Sequence, residues 1–316
     1  MKAIRLFEYG GALTVEDVSK PTIKDDEVLV KVKNAAVNHL DSVEASGVAK
    51  EIFPIELPWI PGHEFSGVVE DAGKKVTSLK TGDAVFGNST NGAYAGYIAA
   101  KKDLVVKKPE NLSFAEAAAV PVAAQTAWQA LFDHGKLTKG QTILIHGGAG
   151  GVGAYAVQLA HDKGAKVIVT ASDRDKDFLY SIGANQVIDY KTEKFEDKIF
   201  GKVDVVFDLI GGDTQQRSYQ VLKQGGYLIS ASQPVSQNDA SKYKVTALML
   251  NMVPSGERLG GIAKLLEEGK LKADVARIYP LENASKAWED ISTNLSKDKQ
   301  ASQKGTHGKL VLVVSN

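Results

Sequence analysis

The stretch His146–Gly153, HGGAGGVG, contains five glycines in eight residues and decides the fold. Before it, residues 141–145 read QTILI, a β-branched apolar run. After it, residues 154–164 read AYAVQLAHDKG and place Ala156, Leu159 and Ala160 on one helical face before Gly164 stops the helix. The glycines therefore connect a strand to a helix.

The spacing of Gly148, Gly150 and Gly153 fits the pattern G-x-G-x-x-G. In that pattern the first glycine allows a tight turn, the second lets a pyrophosphate approach backbone N–H groups, and the third lets helix and strand pack closely. The phosphates then lie at the positive end of the helix. Glycine clusters are also common turns, but the strand and helix on either side favour a dinucleotide site. The residues predicted to line it are Gly148, Ala149, Gly150, Gly151, Val152 and Gly153.

The strand after that helix indicates which dinucleotide is bound. An NAD site ends this strand in a carboxylate for the ribose 2′-hydroxyl, whereas residues 166–171, KVIVTA, end without an acid. Ser172 and Arg174, with Lys176 nearby, suit a 2′-phosphate, so the sequence favours NADP. Two alternatives stay open: Asp173 binds the hydroxyl of NAD, or Ser172 and Asp173 only cap the next helix.

Composition excludes several classes of function. Lys and Arg together number 38, as do Asp and Glu, so no net charge favours nucleic acid or an anionic membrane as a partner. The absence of cysteine excludes disulfides, thiolate catalysis and thiolate metal sites. Neither a signal peptide nor an apolar segment long enough to span a bilayer is evident. A cytoplasmic location is expected.

The predicted secondary structure changes from mainly strands to alternating helices and strands near residue 113. Up to about Asn111 it reads as short strands separated by turns, with Val28, Val30 and Val32 on one face, typical of a small barrel. Ser113 and Glu116 have the spacing of a capping box. An alternating α/β series follows, which predicts a parallel sheet. Residues 255–270 predict an amphipathic helix, residues 294–309 a polar loop, and the tail a strand returning to the first domain.

Four segments carry a resemblance to a known family. They are residues 61–87 (PGHEFSGVVEDAGKKVTSLKTGDAVFG), 118–131 (AAVPVAAQTAWQAL), 143–168 (ILIHGGAGGVGAYAVQLAHDKGAKVI) and the tail (PLENASKAWE, then GKLVLVV). Together they resemble the medium-chain dehydrogenase/reductase superfamily, in its zinc-independent quinone oxidoreductase branch.

The resemblance implies an α/β fold with two domains. A GroES-like β-barrel domain comprises residues 1–118 and 268–316, from both chain ends, and a Rossmann doubly wound parallel sheet comprises residues 119–267. It also implies a substrate cleft where the two domains meet, and a homodimer.

Zinc is not expected. In zinc-dependent relatives, metal ligands fall at the positions of Asn38, His63 and Val122, and only the histidine is kept. A catalytic zinc needs three protein ligands and an open position. An improvised site from Asp41, His63 and Glu64 is conceivable, but "PGHE" is more often a structural turn, so the sequence predicts no metal.

Without a Lewis acid, the expected acceptors are already electron-poor. Quinones and α,β-unsaturated carbonyls accept hydride onto a delocalised enolate and need only alignment and a hydrogen bond to the developing oxyanion. The resemblance places Asn38 at the nicotinamide face, where its amide can donate; alternatively Asn38 only closes the turn after its strand. Asp41 is expected to support that loop. Several quinone reductases carry a tyrosine where this chain has Val43, so the proton is expected from solvent.

Three further residues have two interpretations each. By resemblance Thr126 faces the nicotinamide carboxamide, or else it is a helix packing residue. Tyr190 lies beside the 2′-phosphate, or else it covers the sheet edge. Lys309 lies near the cofactor, or else it is a solvated lysine at a strand end.

These observations predict a zinc-independent, NADPH-dependent oxidoreductase that transfers hydride to a quinone or an enone or enal. The alternative is an NADPH-binding sensor or structural protein with little turnover, which the loss of the tyrosine at Val43 favours. The partner expected is a small electrophilic molecule, with no nucleic acid and no membrane.

Overall fold

Strand Thr142–His146 and helix Gly151–Asp162 flank the glycine turn, so the prediction of a strand–turn–helix unit is confirmed. The computed structural model describes residues 1–199, 202–295 and 307–315. Most of the predicted polar loop over residues 294–309 lies outside them. The contacts divide the chain into a first unit (Met1–Val122, Pro254–Glu268 and Ala273–Asn316) and a second unit (Ala123–Val253 and Gly269–Lys272).

The second unit is built on a six-stranded sheet in which every neighbouring pair is parallel. Its strands, in spatial order, are Gln186–Asp189, Lys166–Ala171, Thr142–His146, Val203–Asp208, Leu222–Ser230 and Thr246–Met249. Numbered along the chain this is 3-2-1-4-5-6, the Rossmann order. The order reverses between strands 1 and 4, and dinucleotides bind at the carboxyl ends of strands at such a point. The glycine turn follows strand 1.

Short helices connect these strands. The α-helices are Pro121–Trp128, which begins at the end of the first unit, Gly151–Asp162, Lys176–Ser181, Phe195–Ile199, Gly212–Ser218 and Gln237–Tyr243, with a π-helix at Gln129–His134 and 3₁₀ turns at Asp173–Asp175 and Tyr219–Val221. Leu144, Val206 and Leu228 from three adjacent strands are buried in one core. Such β-branched and leucine-rich strands are typical of a sheet buried on both faces.

The first unit contains a seven-stranded sheet and a separate two-stranded ribbon, Lys2–Arg5 with Thr14–Asp17. The sheet strands are Glu27–Val37, Glu64–Ala72, Ala84–Asn88, Tyr97–Lys101, Val105–Lys107, Val275–Pro280 and Lys309–Val313. The α-helices are His39–Ser46, Phe114–Ala118, Gly256–Glu267 and Ala284–Leu295, with 3₁₀ turns at Lys102–Leu104 and Leu281–Asn283.

Both chain ends build this sheet, as the sequence predicts. Strand Lys309–Val313 pairs antiparallel with Glu27–Val37 and parallel with Val275–Pro280. Val28, Val30 and Val32 are completely buried, which confirms the alternation read in that strand. Ser113 accepts a hydrogen bond from the Glu116 backbone, which confirms the predicted capping box.

One predicted boundary differs from the contacts. Helix Gly256–Glu267 falls in the first unit, whereas the sequence assigns residues up to 267 to the Rossmann domain. Its Leu259, Ile262 and Leu266 are buried, and Asn111 Nδ2 donates to the Leu266 carbonyl at 2.9 Å. The helix packs against residues 102–107, a long-range contact that periodicity along the helix does not reveal.

No helix among the described residues is both long and apolar enough to cross a membrane.

Candidate functional site

Asn38 occupies the turn between strand Glu27–Val37 and helix His39–Ser46. Its backbone is extended (φ −119°, ψ 149°) and its N–H donates to Asp41 Oδ2 at 2.9 Å. A carboxylate three residues into the helix thus satisfies a donor that precedes the first helical turn. Asp41 supports this loop as the sequence predicts, and the interpretation of Asn38 as the residue that closes the turn is correct at the level of its backbone.

The Asn38 side chain is held in a buried polar triad with Glu64 and Lys309, hereafter the Asn38 triad. Asn38 Nδ2 donates to Glu64 Oε1 at 3.0 Å, and the same carboxylate oxygen lies 2.9 Å from Lys309 Nζ. Lys309 also donates to Asn38 Oδ1. The second Glu64 oxygen accepts the backbone N–H of Val122 at 2.7 Å. The triad residues are all less than 9% exposed, so these bonds form away from bulk water.

The interpretation of Lys309 as a solvated strand-end lysine is wrong, because its side chain is only 7% exposed and ion-paired. The antiparallel register places Leu310 opposite Val37, which brings Lys309 beside Asn38 across 271 residues of sequence. Whether Lys309 also contacts a cofactor stays a prediction.

A second charged cluster joins Asp41 and Glu44, on the helix that follows Asn38, to His63, which directly precedes strand Glu64–Ala72. His63 Nε2 is 2.7 Å from Glu44 Oε2 and 3.6 Å from Asp41 Oδ1. Burial alone would lower the pKa of His63, but the hydrogen bond to Glu44 and the charges of Asp41, Glu44 and Glu64 outweigh it and raise the pKa to about 9. Burial raises the pKa of Asp41, opposed by His63, the Asn38 N–H and the Tyr94 hydroxyl.

Tyr94 completes the surroundings of Asp41. Its hydroxyl donates to Asp41 Oδ2 at 2.8 Å and accepts from Trp288 Nε1 at 3.3 Å. Burial, with the nearby Asp41 charge, raises the pKa of Tyr94 well above its usual range. Trp288, which is partly buried and packs against the core of the first unit, therefore anchors this cluster.

The positions that bind zinc in metal-dependent relatives do not fit the metal here. Asn38 Oδ1 already accepts from the Lys309 ammonium, His63 Nε2 is bonded to Glu44 Oε2 at 2.7 Å, and Val122 contributes a hydrocarbon side chain. The improvised set of Asp41, His63 and Glu64 is not brought together either, because Glu64 bonds within the Asn38 triad.

Among the described residues, one group could bring three ligand atoms within 4.8 Å of one another: Asp41, Glu44 and His63. Asp41 Oδ1 in this group has no hydrogen-bond partner within the described part of the chain. With its pKa near 9, His63 is itself the cation between the two carboxylates at neutral pH. Glu44 was not among the residues singled out from the sequence; its position in a polar helix gave no signal of burial.

In the second unit, the glycines of the turn differ in why a side chain would not fit there. Gly147 has φ +78°, so the left-handed residue of the turn is Gly147, which directly precedes the first glycine of the G-x-G-x-x-G pattern, Gly148. A Cβ on Gly148 would lie 2.2 Å from Val169 Cγ1, and one on Gly153 2.3 Å from the Gly147 carbonyl oxygen. These two glycines allow close packing. The close packing expected at Gly153 is present, and its role in cofactor binding stays a prediction.

Gly150 differs from both, because a Cβ there would meet only the Gly147 oxygen, at 3.4 Å. Gly150 is exposed and lies directly before helix Gly151–Asp162, whose first N–H groups have no acceptor within the helix. Exposed N–H groups at a helix N-terminus are suited to an anion such as a pyrophosphate, and Ala149, Gly151 and Val152 lie on the same turn. The role of these residues in binding stays a prediction.

The side chains proposed to bind the 2′-phosphate, Ser172 and Arg174, both contact the carboxylate of Asp175. Ser172 is buried and its hydroxyl donates to Asp175, while Arg174 Nε lies 3.6 Å from Asp175 Oδ1 with 44% of its side chain exposed. Ser172 is the N-cap residue of the 3₁₀ turn Asp173–Asp175 but makes no side-chain capping bond, so the capping alternative holds only for its backbone position. Asp173 is largely exposed and pairs with Lys176 at 3.8 Å.

Thr126 and Tyr190 remain predictions. Thr126 lies in helix Pro121–Trp128 and is 8% exposed. Tyr190 directly follows the edge strand Gln186–Asp189 and is 48% exposed, a position compatible with both interpretations of this residue.

His146, at the end of strand 1, is held by neutral groups. Its Nδ1 lies 2.8 Å from Thr170 Oγ1 and its Nε2 2.9 Å from Ser218 Oγ. Ser218 donates its own proton to the Thr214 carbonyl, so it accepts from Nε2–H. Complete burial, together with Arg217, lowers the pKa of His146 to about 4 against the opposing charge of Asp208. His146 is therefore neutral.

Asp208, which sequence analysis missed, organises the carboxyl end of strand 4. Its Oδ1 accepts the N–H groups of Ile210 and Gly211 at 3.0 and 2.9 Å, and its Oδ2 accepts Gln215 Nε2 and Ser230 Oγ, both at 3.1 Å. The available signal was an acid directly after an apolar strand and before two glycines, in DVVFDLIGG. Asp208 fixes a loop at the switch point of the sheet.

The fold and these sites together define a dinucleotide-binding dehydrogenase with a separate β-rich unit. A family model described as "Alcohol dehydrogenase GroES-like domain" matches residues 24–110, and one described as "Zinc-binding dehydrogenase" matches residues 182–312.

Relatives and solved structures agree with this class. The chain is 39% identical to a 2-methylene-furan-3-one reductase of Solanum lycopersicum over 86% of this chain and 70% of that one. It is 35% identical to an NADPH-dependent alkenal/one oxidoreductase of Arabidopsis thaliana over 93% and 77%. The structure of the quinone oxidoreductase from Coxiella burnetii superposes with a TM-score of 0.89 at 35% identity, covering 100% of this chain and 99% of the other.

The chain therefore belongs to the medium-chain dehydrogenase/reductase superfamily, in its quinone oxidoreductase branch.

Proposed function

We propose that this protein is a zinc-independent oxidoreductase that uses NADPH to reduce quinones or α,β-unsaturated carbonyls. The observation that carries the proposal is the buried Asn38 triad, in which a lysine ammonium bonds the oxygen of Asn38, the residue at a metal-ligand position of zinc-dependent relatives. Zinc-dependent carbonyl chemistry has no ligand set at these positions.

NADPH is supported by the turn and by the relatives. The open space at Gly150 and the helix N-terminus behind it would hold the pyrophosphate. Ser172 and Arg174 would hold the 2′-phosphate, with Arg174 supplying positive charge from an exposed position. When bound, the reduced nicotinamide supplies a hydride. The name of the Arabidopsis relative includes NADPH, and we extend this cofactor to the present chain.

An acceptor that is already electrophilic follows from what the chain offers. Asn38 provides one amide N–H toward the developing oxyanion, and neither it nor Lys309 is a Lewis acid. Such a hydrogen bond typically contributes about a hundredfold to a thousandfold in rate. That suits conjugate reduction, in which the acceptor itself delocalises the charge. With Val43 in place of a tyrosine, the final proton comes from solvent.

The names of the relatives support both acceptor classes. One is named for a methylene-furanone, one for alkenals and alkenones, and one solved structure for quinones. Thr126 at the nicotinamide and a homodimer complete the proposal on the basis of the family resemblance, and the cytoplasmic location expected from the sequence is proposed with them; gel filtration and cell fractionation test the last two.

The test follows the absorbance of NADPH with a panel of quinones, enones and enals. We expect steady consumption with members of at least one class and slow or no consumption of NADH. Tight NADPH binding without consumption by any acceptor would instead identify a sensor or structural protein.

A further inference from the structure

The buried ammonium of Lys309 lies against the side chain of Asn38. Three hydrogen bonds link Lys309, Asn38 and Glu64. Lys309 donates to Asn38 Oδ1 and to Glu64 Oε1, and Asn38 donates to that same Glu64 oxygen. The antiparallel pairing of Lys309–Val313 with Glu27–Val37 fixes the backbone on both sides. The ammonium is thus held against the amide by the sheet itself.

Of the three hydrogen-bonding groups in the Asn38 side chain, one N–H of the amide remains available. A primary amide has two N–H groups and one acceptor oxygen. One Nδ2 hydrogen goes to Glu64, and Oδ1 accepts from Lys309. No acceptor for the second N–H is found in the described ranges of the chain. Since the amide plane is fixed at two of its polar atoms, the direction of the second N–H is fixed as well.

We propose that Lys309 is a positioning and polarising residue that acts on the acceptor through Asn38, and is not a ligand of the cofactor. An ammonium on the carbonyl oxygen of an amide draws electron density from its nitrogen, which makes the remaining N–H a stronger donor. This inference rests on the proposed function. Glu64 balances the buried charge of Lys309, without which a lone ammonium would be costly to bury.

The chemistry balances without any change at Lys309. The acceptor gains a hydride, with its two electrons, from the reduced nicotinamide, which becomes oxidised. A C–H or O–H bond forms on the acceptor as the C–H bond of the nicotinamide breaks, and negative charge moves onto the acceptor oxygen. Asn38 donates to that oxygen while solvent supplies the closing proton. The Lys309 ammonium keeps all of its protons.

The proposed role of Lys309 in catalysis can be tested apart from its role in folding by neutralising Lys309 and Glu64 together. Lys309→Met alone leaves Glu64 buried and unpaired, so the test variant is Lys309→Met/Glu64→Gln, which keeps both side-chain lengths. We expect its melting temperature and its NADPH Kd to stay near those of the wild type, while kcat falls by about tenfold to a hundredfold. Lys107→Met, which removes a surface lysine of the same unit, is the matched control with unchanged kcat.

Two readouts distinguish polarisation from a structural role. The loss in kcat is expected to be larger for enones than for quinones, because quinones delocalise the incoming charge better. In an Asn38→Ala background, neutralising Lys309 and Glu64 is expected to change kcat by less than about twofold, since the effect passes through the amide.

The inference is overturned if the neutral pair keeps wild-type kcat, if NADPH Kd rises while kcat is retained, or if the losses from Asn38→Ala and the neutral pair multiply. Should the neutral pair not fold, Lys309→Arg keeps the cation: kcat within about fivefold of the wild type supports the inference, and a hundredfold loss in a folded variant contradicts it. Failure of the proposed function is distinct, because the wild type itself would then consume no NADPH.

Discussion

Two histidines, one in each unit, have pKa values that their neighbours shift in opposite directions. His63 lies between the carboxylates of Glu44 and Asp41, and its pKa is raised to about 9. His146 lies between the hydroxyls of Thr170 and Ser218, and its pKa is lowered to about 4. His146 is fully buried and 30% of the His63 side chain is exposed, but desolvation lowers the pKa of both rings, so burial does not explain the opposite signs. The sign follows from whether the partners are charged.

The difference extends to the surroundings of each histidine. The first unit buries ion pairs around Asn38, which places fixed charges beside a predicted catalytic amide. The second unit places neutral hydroxyls around His146, directly before its glycine turn, and at the end of the neighbouring strand it places Asp208, whose two oxygens accept four hydrogen bonds. We infer that the first unit supplies the electrostatics of the reaction, and that the second supplies a shape into which an anionic cofactor fits.

If shape governs the second unit, Gly153→Ala should destabilise the protein at least as much as the loss of any single polar side chain at either site, and should also weaken cofactor binding. Its Cβ would lie 2.3 Å from the Gly147 oxygen and 2.7 Å from Gly148 Cα, both backbone atoms. We expect a loss of about 3 kcal/mol in the free energy of unfolding, together with a loss of more than about a hundredfold in NADPH affinity. Urea unfolding and fluorescence titration measure the two.

Gly150→Ala is the control for that variant. The fold should be unchanged because the new methyl meets only one atom, at 3.4 Å, but NADPH should bind about tenfold more weakly because the methyl enters the proposed phosphate space. Equal stability losses for the two variants would contradict this account of the turn.

Removing one partner of each histidine tests the electrostatic contrast. Asp41→Asn takes an anion away from buried donors and from His63, and should cost about 3 kcal/mol. Ser218→Ala removes a neutral partner of His146 and should cost about 1 kcal/mol. The comparison uses urea unfolding at pH 7. A cost for Ser218→Ala equal to or above that for Asp41→Asn would show that charge is not what distinguishes the two regions.

The pH dependence of stability should show both histidines with opposite signs. His63 has a folded-state pKa above the usual 6.5, so its contribution is complete below pH 6.5 and is lost as the pH rises through about 9. His146 has a folded-state pKa below 6.5, so the unfolded chain takes up its proton first and stability falls as the pH drops from 6.5 toward 4. Each contribution is at most about 3 kcal/mol.

His63→Gln should flatten the alkaline part of that profile, and His146→Gln the acidic part. Each variant serves as the control for the other, since the unaffected limb should keep its slope. A profile in which both variants change the same limb would refute the assignment of opposite charge states.

The smallest effect is expected at the exposed end of the cofactor region. Arg174→Ala should weaken NADPH by about tenfold and leave NADH unchanged, because a partly exposed cation contributes modestly to binding a 2′-phosphate. Lys198→Ala, at an exposed lysine paired with Glu193 in the same unit, is the control. An equal loss of both cofactors would remove Arg174 from the 2′-phosphate site.

What the sequence predicted well was local in the chain. The strand, turn and helix around Gly150, the capping box at Ser113 and the alternation in strand Glu27–Val37 are periodic or short-range patterns. The return of the last strand to the first unit also followed from its apolar run and from family resemblance.

What the sequence did not reveal depends on register and on partners far along the chain. Lys309 became a buried ion-pair partner only because strand pairing brings it beside Asn38 and Glu64. Glu44 and His63 are 19 residues apart and meet across a loop. The left-handed residue is Gly147, which lies outside the G-x-G-x-x-G pattern, because the spacing of glycines does not show which backbone angles each one adopts.

The central claim is that hydride reaches an electrophilic acceptor without a metal, and its most direct test is the turnover of metal-stripped enzyme. Protein dialysed against a strong chelator, with its zinc content checked by elemental analysis, is assayed for NADPH oxidation by a quinone and by an enone. We predict the same kcat before and after stripping, with no gain when zinc is added back. A loss of activity that zinc restores would contradict the account.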